Sequence, residues 1–192
     1  MNKRKEQTKK LVLGAILTAL VILLQFLGSF IKLGPFSISL VLVPIVMGAA
    51  LCGYKIGAWL GFVFGAVVLL SGDAAAFLAI DVFGTVLTVL VKGTLCGLIA
   101  GLAYKVLNTK NQYFAVTVSA IICPIINTGV FLIGCKLFFM SAITEWGVSA
   151  GFQNVTKYMF LGLAGGNFLV ELAVNIVLAP IILRIINISL KN

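Results

Sequence analysis

Long apolar runs separated by short polar breaks organise the whole chain. The first run covers about residues 11–30, behind a basic head at residues 1–10, and the Lys32-Leu-Gly-Pro35 turn ends it. The second, at about 38–51, is short and contains Pro44, which predicts a tilted or irregular helix. A third run at about 55–71 closes at Ser71-Gly-Asp73, and runs at about 80–104, 113–136 and 159–186 follow, the last two separated by the polar segment 141–157. The head resembles the start of a signal peptide. The run behind it is long for that role, lacks an A-x-A cleavage site and is followed by more apolar runs, so it is kept as a helix. The pattern predicts an all-α membrane protein of six transmembrane helices, forming a single integral membrane domain over residues 1–192 with a short cytoplasmic head at 1–10.

Composition makes lipid the solvent. Hydrophobic residues are 61% of the chain and charged ones 10%, with a mean hydropathy of +1.20; that leaves too little polar surface to cover a globule in water. The charge is placed asymmetrically. With six spans and an inner N-terminus, Lys3, Arg4, Lys5, Lys9, Lys10, Lys55, Lys105, Lys110, Arg184 and Lys191 fall on the inner side, against Lys32, Lys136 and Lys157 outside. That excess puts both termini in the cytoplasm. The basic balance is thus an orientation signal and a grip on anionic lipid, with nucleic acid disfavoured as a partner.

Several chemistries lack their residues. The chain has no histidine, and Cys52, Cys96, Cys123 and Cys135 show no C-x-x-C spacing, so neither a zinc site, a disulfide framework nor another cofactor is indicated. A G-x-x-x-x-G-K-[ST] loop is also missing from the sequence, so energy is expected from a partner or an ion gradient. An intramembrane serine protease would want a histidine, and a metal-dependent lipid enzyme clustered acids; an enzyme is not expected.

One lysine stands out. Lys92 lies near the middle of the fourth run, where a charge costs on the order of 2.5–3.5 kcal/mol and should face the protein interior or a watery cavity. Glu171 is the only acid inside another span, at similar depth, and forms a stripe with Asn167 and Asn175 at i−4 and i+4. Asn127 of the fifth run reaches a comparable depth, and Asp73 and Asp81 flank the outer surface above. Two readings stay open. Lys92 and Glu171 form a structural pair with the asparagines bonding between helices, or these residues floor an outward-opening pocket for a polar solute, with residues 145–156 as its lid. Glycines at four-residue spacing, Gly57, Gly61 and Gly65 on the third run and Gly93, Gly97 and Gly101 on the fourth, offer flat faces for close helix packing.

Six short spans with both ends inside, the Ala15-x-x-x-Ala19 pair, the Lys32-Leu-Gly-Pro-Phe-Ser-Ile38 turn, and Cys52-Gly-Tyr-Lys-Ile-Gly57 leading into a glycine-rich third helix together resemble a substrate-binding (S) component of energy-coupling factor (ECF) vitamin transporters. The resemblance covers nearly the whole chain. It implies a bacterial cell-membrane protein that binds a vitamin or related micronutrient at an outward-facing site. It also implies docking on a transmembrane coupling protein driven by two cytoplasmic ATPase subunits, with Ala15 and Ala19 as the docking surface. The Gly34-Pro-Phe-Ser-Ile38 turn is similar to pantothenate-type components, and Lys92 suits a carboxylate-bearing solute; riboflavin, folate and other B vitamins and precursors stay open. The runner-up is a small proton-coupled secondary transporter using Glu171 and Lys92.

Overall fold

The computed structural model describes residues 3–30, 32–33, 36–37 and 40–191. Helix α1 spans Lys3–Gly28, so the basic head is its first turns rather than a separate segment. Lys, Glu and Gln are good helix formers, and nothing in the head breaks the helix. Strands β1 (Lys32–Leu33) and β2 (Phe36–Ser37) pair antiparallel, Lys32 opposite Ser37; Gly34, Pro35 and Ile38 of the expected turn lie outside the described residues. Then come α2 (Leu42–Cys52), α3 (Tyr54–Leu70), the single turn α4 (Ala75–Leu78), α5 (Val82–Leu107) and α6 (Gln112–Phe138). Helix α7 (Met140–Ser149), the short α8 (Val155–Lys157), a π-helical stretch (Tyr158–Leu163) and α9 (Gly165–Lys191) complete the chain.

Among the described residues, four helices are long and apolar enough to cross a membrane: α1, α5, α6 and α9. The remaining two of the six expected spans, α2 and α3, are apolar but shorter, at 11 and 17 residues. At 1.5 Å per residue, α2 rises only about 16 Å, roughly half of a ~30 Å hydrocarbon core. Gly53, with φ 98°, joins α2 to α3 in a conformation that a side chain would strain.

The expected small-residue faces meet each other. Helices α3 and α5 run antiparallel with Gly57 against Gly97, Gly61 against Gly93, and Gly65 on the backbone of Val89. A methyl at Gly65 would come within 2.7 Å of the Val89 carbonyl oxygen. Helix α1 runs parallel to α3. Gly14 lies against Ile56, and Trp59 Nε1 donates to Thr18 Oγ1 at 3.2 Å. The core between these helices is apolar, with Leu17, Val21, Leu42, Ile45, Leu60 and Phe64 almost wholly buried. A second cluster caps the opposite end of the bundle from Tyr54 and Lys105: Phe77 of α4 packs on Phe139 and on Trp146 of α7, with ring centroids 4.9 and 5.4 Å apart.

Candidate functional site

Between these two cores the bundle does not close. A cavity of about 80 Å³ remains, several times the ~10–15 Å³ that one water needs. Helix α5 contributes Thr85, Thr88, Val89 and Lys92, the i, i+3, i+4, i+7 positions of one face. Helix α6 contributes Asn127, Thr128 and Phe131, and α9 contributes Asn167 and Glu171. Gln25 of α1 and Asp73, Ala74 and Phe77 line it from the α1 and α4 side. Leu163 and Ala164 reach the wall where the π-helical stretch ends. There the Ala164 amide bonds to Met159 O, five residues back, a wider turn of the kind often met at functional sites.

Lys92 is half-buried, its ammonium set between two ring faces: 5.6 Å from the centroid of Phe64 and 5.4 Å from that of Phe131. It lies in the field of Glu171 and, more weakly, of Asp73. Glu171 is only 5% exposed, and Asn127 Nδ2 donates to its Oε2 at 3.4 Å. At the α4 side, Asp73 Oδ2 accepts three hydrogen bonds, from Gln25 Nε2 at 2.7 Å, Ser29 Oγ at 2.9 Å and Ser71 Oγ at 3.1 Å. Gly72 makes this possible: its φ of 85° turns the chain after α3 so that Asp73 faces the end of α1.

Lys92, Glu171, Asn127, Asn167 and Asp73 thus share one cavity. Two other expected site residues, Asp81 and Asn175, do not line it, and each makes a local bond. Asp81 caps helix α5, with Oδ1 accepting from Gly84 N at 3.1 Å, the ordinary work of an aspartate in front of a helix. Asn175 is 1% exposed and donates to the Glu171 carbonyl at 2.8 Å, one turn back along its own helix. The polar stripe of α9 therefore serves the cavity only as far as Glu171. Of the expected lid, Trp146 packs on Phe77 and Phe152 on Tyr158, while Glu145 is exposed. Ala15 and Ala19 lie away from the cavity, exposed on the outer face of α1 beside Leu11, Ile16 and Leu23.

The sequence reading missed Gln25, Thr85, Thr88 and Phe131. A signal existed for Gln25: it is the lone amide in the apolar run 11–30, and the logic applied to Lys92 applies to it as well. The threonines carried none, because a hydroxyl in an apolar helix commonly bonds to its own backbone.

A family model described as "ECF transporter, substrate-specific component" matches residues 9–183. Comparison with curated proteins and with solved structures returned no match.

Proposed function

Because the chain belongs to the family of ECF transporter substrate-specific components, we propose that the cavity is its substrate site, which takes up a vitamin or related micronutrient from outside the cell. The observation that carries this reading is a polar cavity in an apolar bundle: Lys92, Glu171, Asp73, Gln25, Asn127 and Asn167 converge from α1, α5, α6, α9 and the α3–α4 turn. Buried polar atoms are costly unless bonded. Yet among the described residues Gln25 Oε1, Thr88 Oγ1 and Asn127 Oδ1 are buried without a partner. A polar solute bound among the six side chains of the cavity would offset the cost of gathering them in an apolar bundle.

In this reading the cavity opens outward, both termini are cytoplasmic, and six helices, the short α2 and α3 included, make up the membrane domain. The basic residues on the inner ends of the helices support that orientation. Uptake is driven by partners: a transmembrane coupling protein and two cytoplasmic ATPase subunits, in a bacterial plasma membrane. The exposed Ala15 and Ala19 support α1 as the docking face, because small side chains let a partner helix approach closely. Pantothenate is the solute suggested by the turn before α2.

A second reading is favoured by one observation. Glu171 is an acid buried inside a helix long and apolar enough to cross a membrane, the kind of group a proton relay uses. A proton-coupled carrier should stop when the proton gradient and membrane potential are removed while ATP remains; the partner-driven importer should continue.

The deciding experiment is mass spectrometry of the small molecules released when the purified protein is denatured, beside a Lys92→Met control. A near-stoichiometric vitamin present in the wild type and missing from the control supports the site. Retention of the same solute by Lys92→Met, with only folding yield reduced, would assign the lysine to structure.

A further inference from the structure

The C-terminal half of α9 carries a second concavity, apart from the cavity around Glu171. We propose that it is a groove for one anionic phospholipid of the cytoplasmic leaflet, with Arg184 and Asn187 on the headgroup phosphate and Pro180 and Leu183 beside the acyl chains.

The groove has a volume of about 320 Å³, within the roughly 300–1,000 Å³ of small-molecule sites. Its walls are Pro180, Leu183, Arg184, Asn187 and Ile188, the i, i+3, i+4, i+7, i+8 positions of one helix flank. Pro180 puts a compact ring without an N–H at one end. A different flank of the same turns, Ala179, Ile182 and Ile186, is buried in the main core. Pro180, Arg184, Asn187 and Ile188 are exposed and Leu183 is half-buried, so the groove looks out of the bundle. Around a membrane-spanning helix, that is where lipid lies.

Depth then separates its two ends. At 1.5 Å per residue, Arg184 lies roughly 29 Å along α9 from Gly165, close to the ~30 Å thickness of a hydrocarbon core. Its guanidinium therefore reaches the phosphate level, and its planar fork suits two phosphate oxygens at once. Asn187, nearly one turn further on, adds an amide donor at the same level. Pro180 lies about one turn deeper than Arg184, among the acyl chains. Apolar wall and cationic mouth are thus stacked in the order in which a phospholipid carries its chains and its phosphate. A soluble anion would use only the mouth.

The distribution of acids favours a negative headgroup. Of the five in the chain, Asp73, Asp81 and Glu145 belong to the far end of the bundle, and Glu171 lies roughly 20 Å along α9 from Arg184. Glu6 alone shares the inner end, in a head that also holds Lys3, Arg4, Lys5, Lys9 and Lys10. A phosphate arriving at Arg184 therefore meets a positive rim. The leaflet follows from the cytoplasmic termini proposed above; the groove and its preference for anions are independent of the substrate-site reading.

The test titrates the delipidated full chain, in detergent, with phosphatidylglycerol or phosphatidylcholine of the same acyl chains, and native mass spectrometry gives the affinity of the first bound lipid. Phosphatidylglycerol should bind more tightly. Arg184→Gln should weaken it about 5-fold, the weight of one cation at a lipid surface, and leave phosphatidylcholine unchanged. Arg184→Lys keeps the charge without the fork and should weaken it by a smaller factor. Leu183→Trp, which fills the wall, should weaken both lipids. Lys110→Gln, an equal charge change at an exposed position between α5 and α6, should leave the first site as it is. Equal losses in Arg184→Gln and Lys110→Gln would reveal diffuse surface charge alone and overturn the proposal, as would equal affinity for the two lipids. Unchanged lipid binding in Arg184→Gln with loss of co-purifying partner subunits would assign the groove to a protein and overturn it too.

Discussion

Helix α5 presents two faces to its neighbours, and they are built on opposite rules. Toward α3 it shows Gly93, Gly97 and Gly101, which press backbone on backbone against Gly61, Gly57 and Tyr54. Toward α6 and α9 it shows Thr85, Thr88 and Lys92, with a cavity in front of them and a hydroxyl left without a partner. In lipid no hydrophobic force drives helices together, so the seam gains its stability from close packing, and any added atom costs. The cavity face forgoes that packing. One rigid helix therefore anchors itself on its α3 side and holds its cavity-lining groups in place on the other.

The comparison breaks most visibly on the seam. Gly61→Leu should abolish folded protein, because even a methyl there would drive into the Gly93 carbonyl, backbone that cannot move aside; overpacking commonly costs about 1–3 kcal/mol and more where no rotamer offers escape. Detergent-soluble, monodisperse yield is the readout, and a normal yield would refute the rigid seam. On the cavity side, Asp73→Ala removes the acceptor of three hydrogen bonds and should lower stability by about 1–3 kcal/mol, while freeing the outer end of α1. Thermal melting together with faster hydrogen exchange at residues 25–29 would report it; unchanged exchange would show that α1 is held elsewhere. Changes on the outer face of α1 should leave both faces of α5 untouched: Ala15→Trp with Ala19→Trp should retain solute at the wild-type level yet lose uptake in cells that carry the partners. Unchanged uptake would remove α1 as the docking face. The smallest effect is expected at Gly129 of α6, where an added methyl meets nothing within 4 Å. Gly129→Ala should stabilise by about 0.5–1 kcal/mol, through helix propensity alone. A loss of stability there would mean that not only the seam demands glycine.

The two faces differed in how legible they were. The seam was written at four-residue spacing in both helices, and glycines that recur along one helical face point to contact whatever the rest of the fold does. Lys92, Glu171 and Asn127 were legible because a polar side chain deep in an apolar run has few physical outcomes. Asp81 and Asn175 do not line the cavity, and each makes a bond at its own helix; spacing cannot separate a side chain aimed at a neighbour from one that bonds to its own backbone. Gln25 lay 48 residues from the acid it serves, a pairing that only the turn at Gly72 brings about.

By itself the sequence determined the solvent, the order of the apolar helices, the small-residue seam and the presence of buried charge, since each follows from composition or from periodicity within one helix. Tertiary structure alone decided which polar groups share a cavity, which way their amides point and which atoms are left without partners. Those depend on how α1, α5, α6 and α9 are rotated and brought together, and that rotation is fixed by packing between segments far apart in the chain.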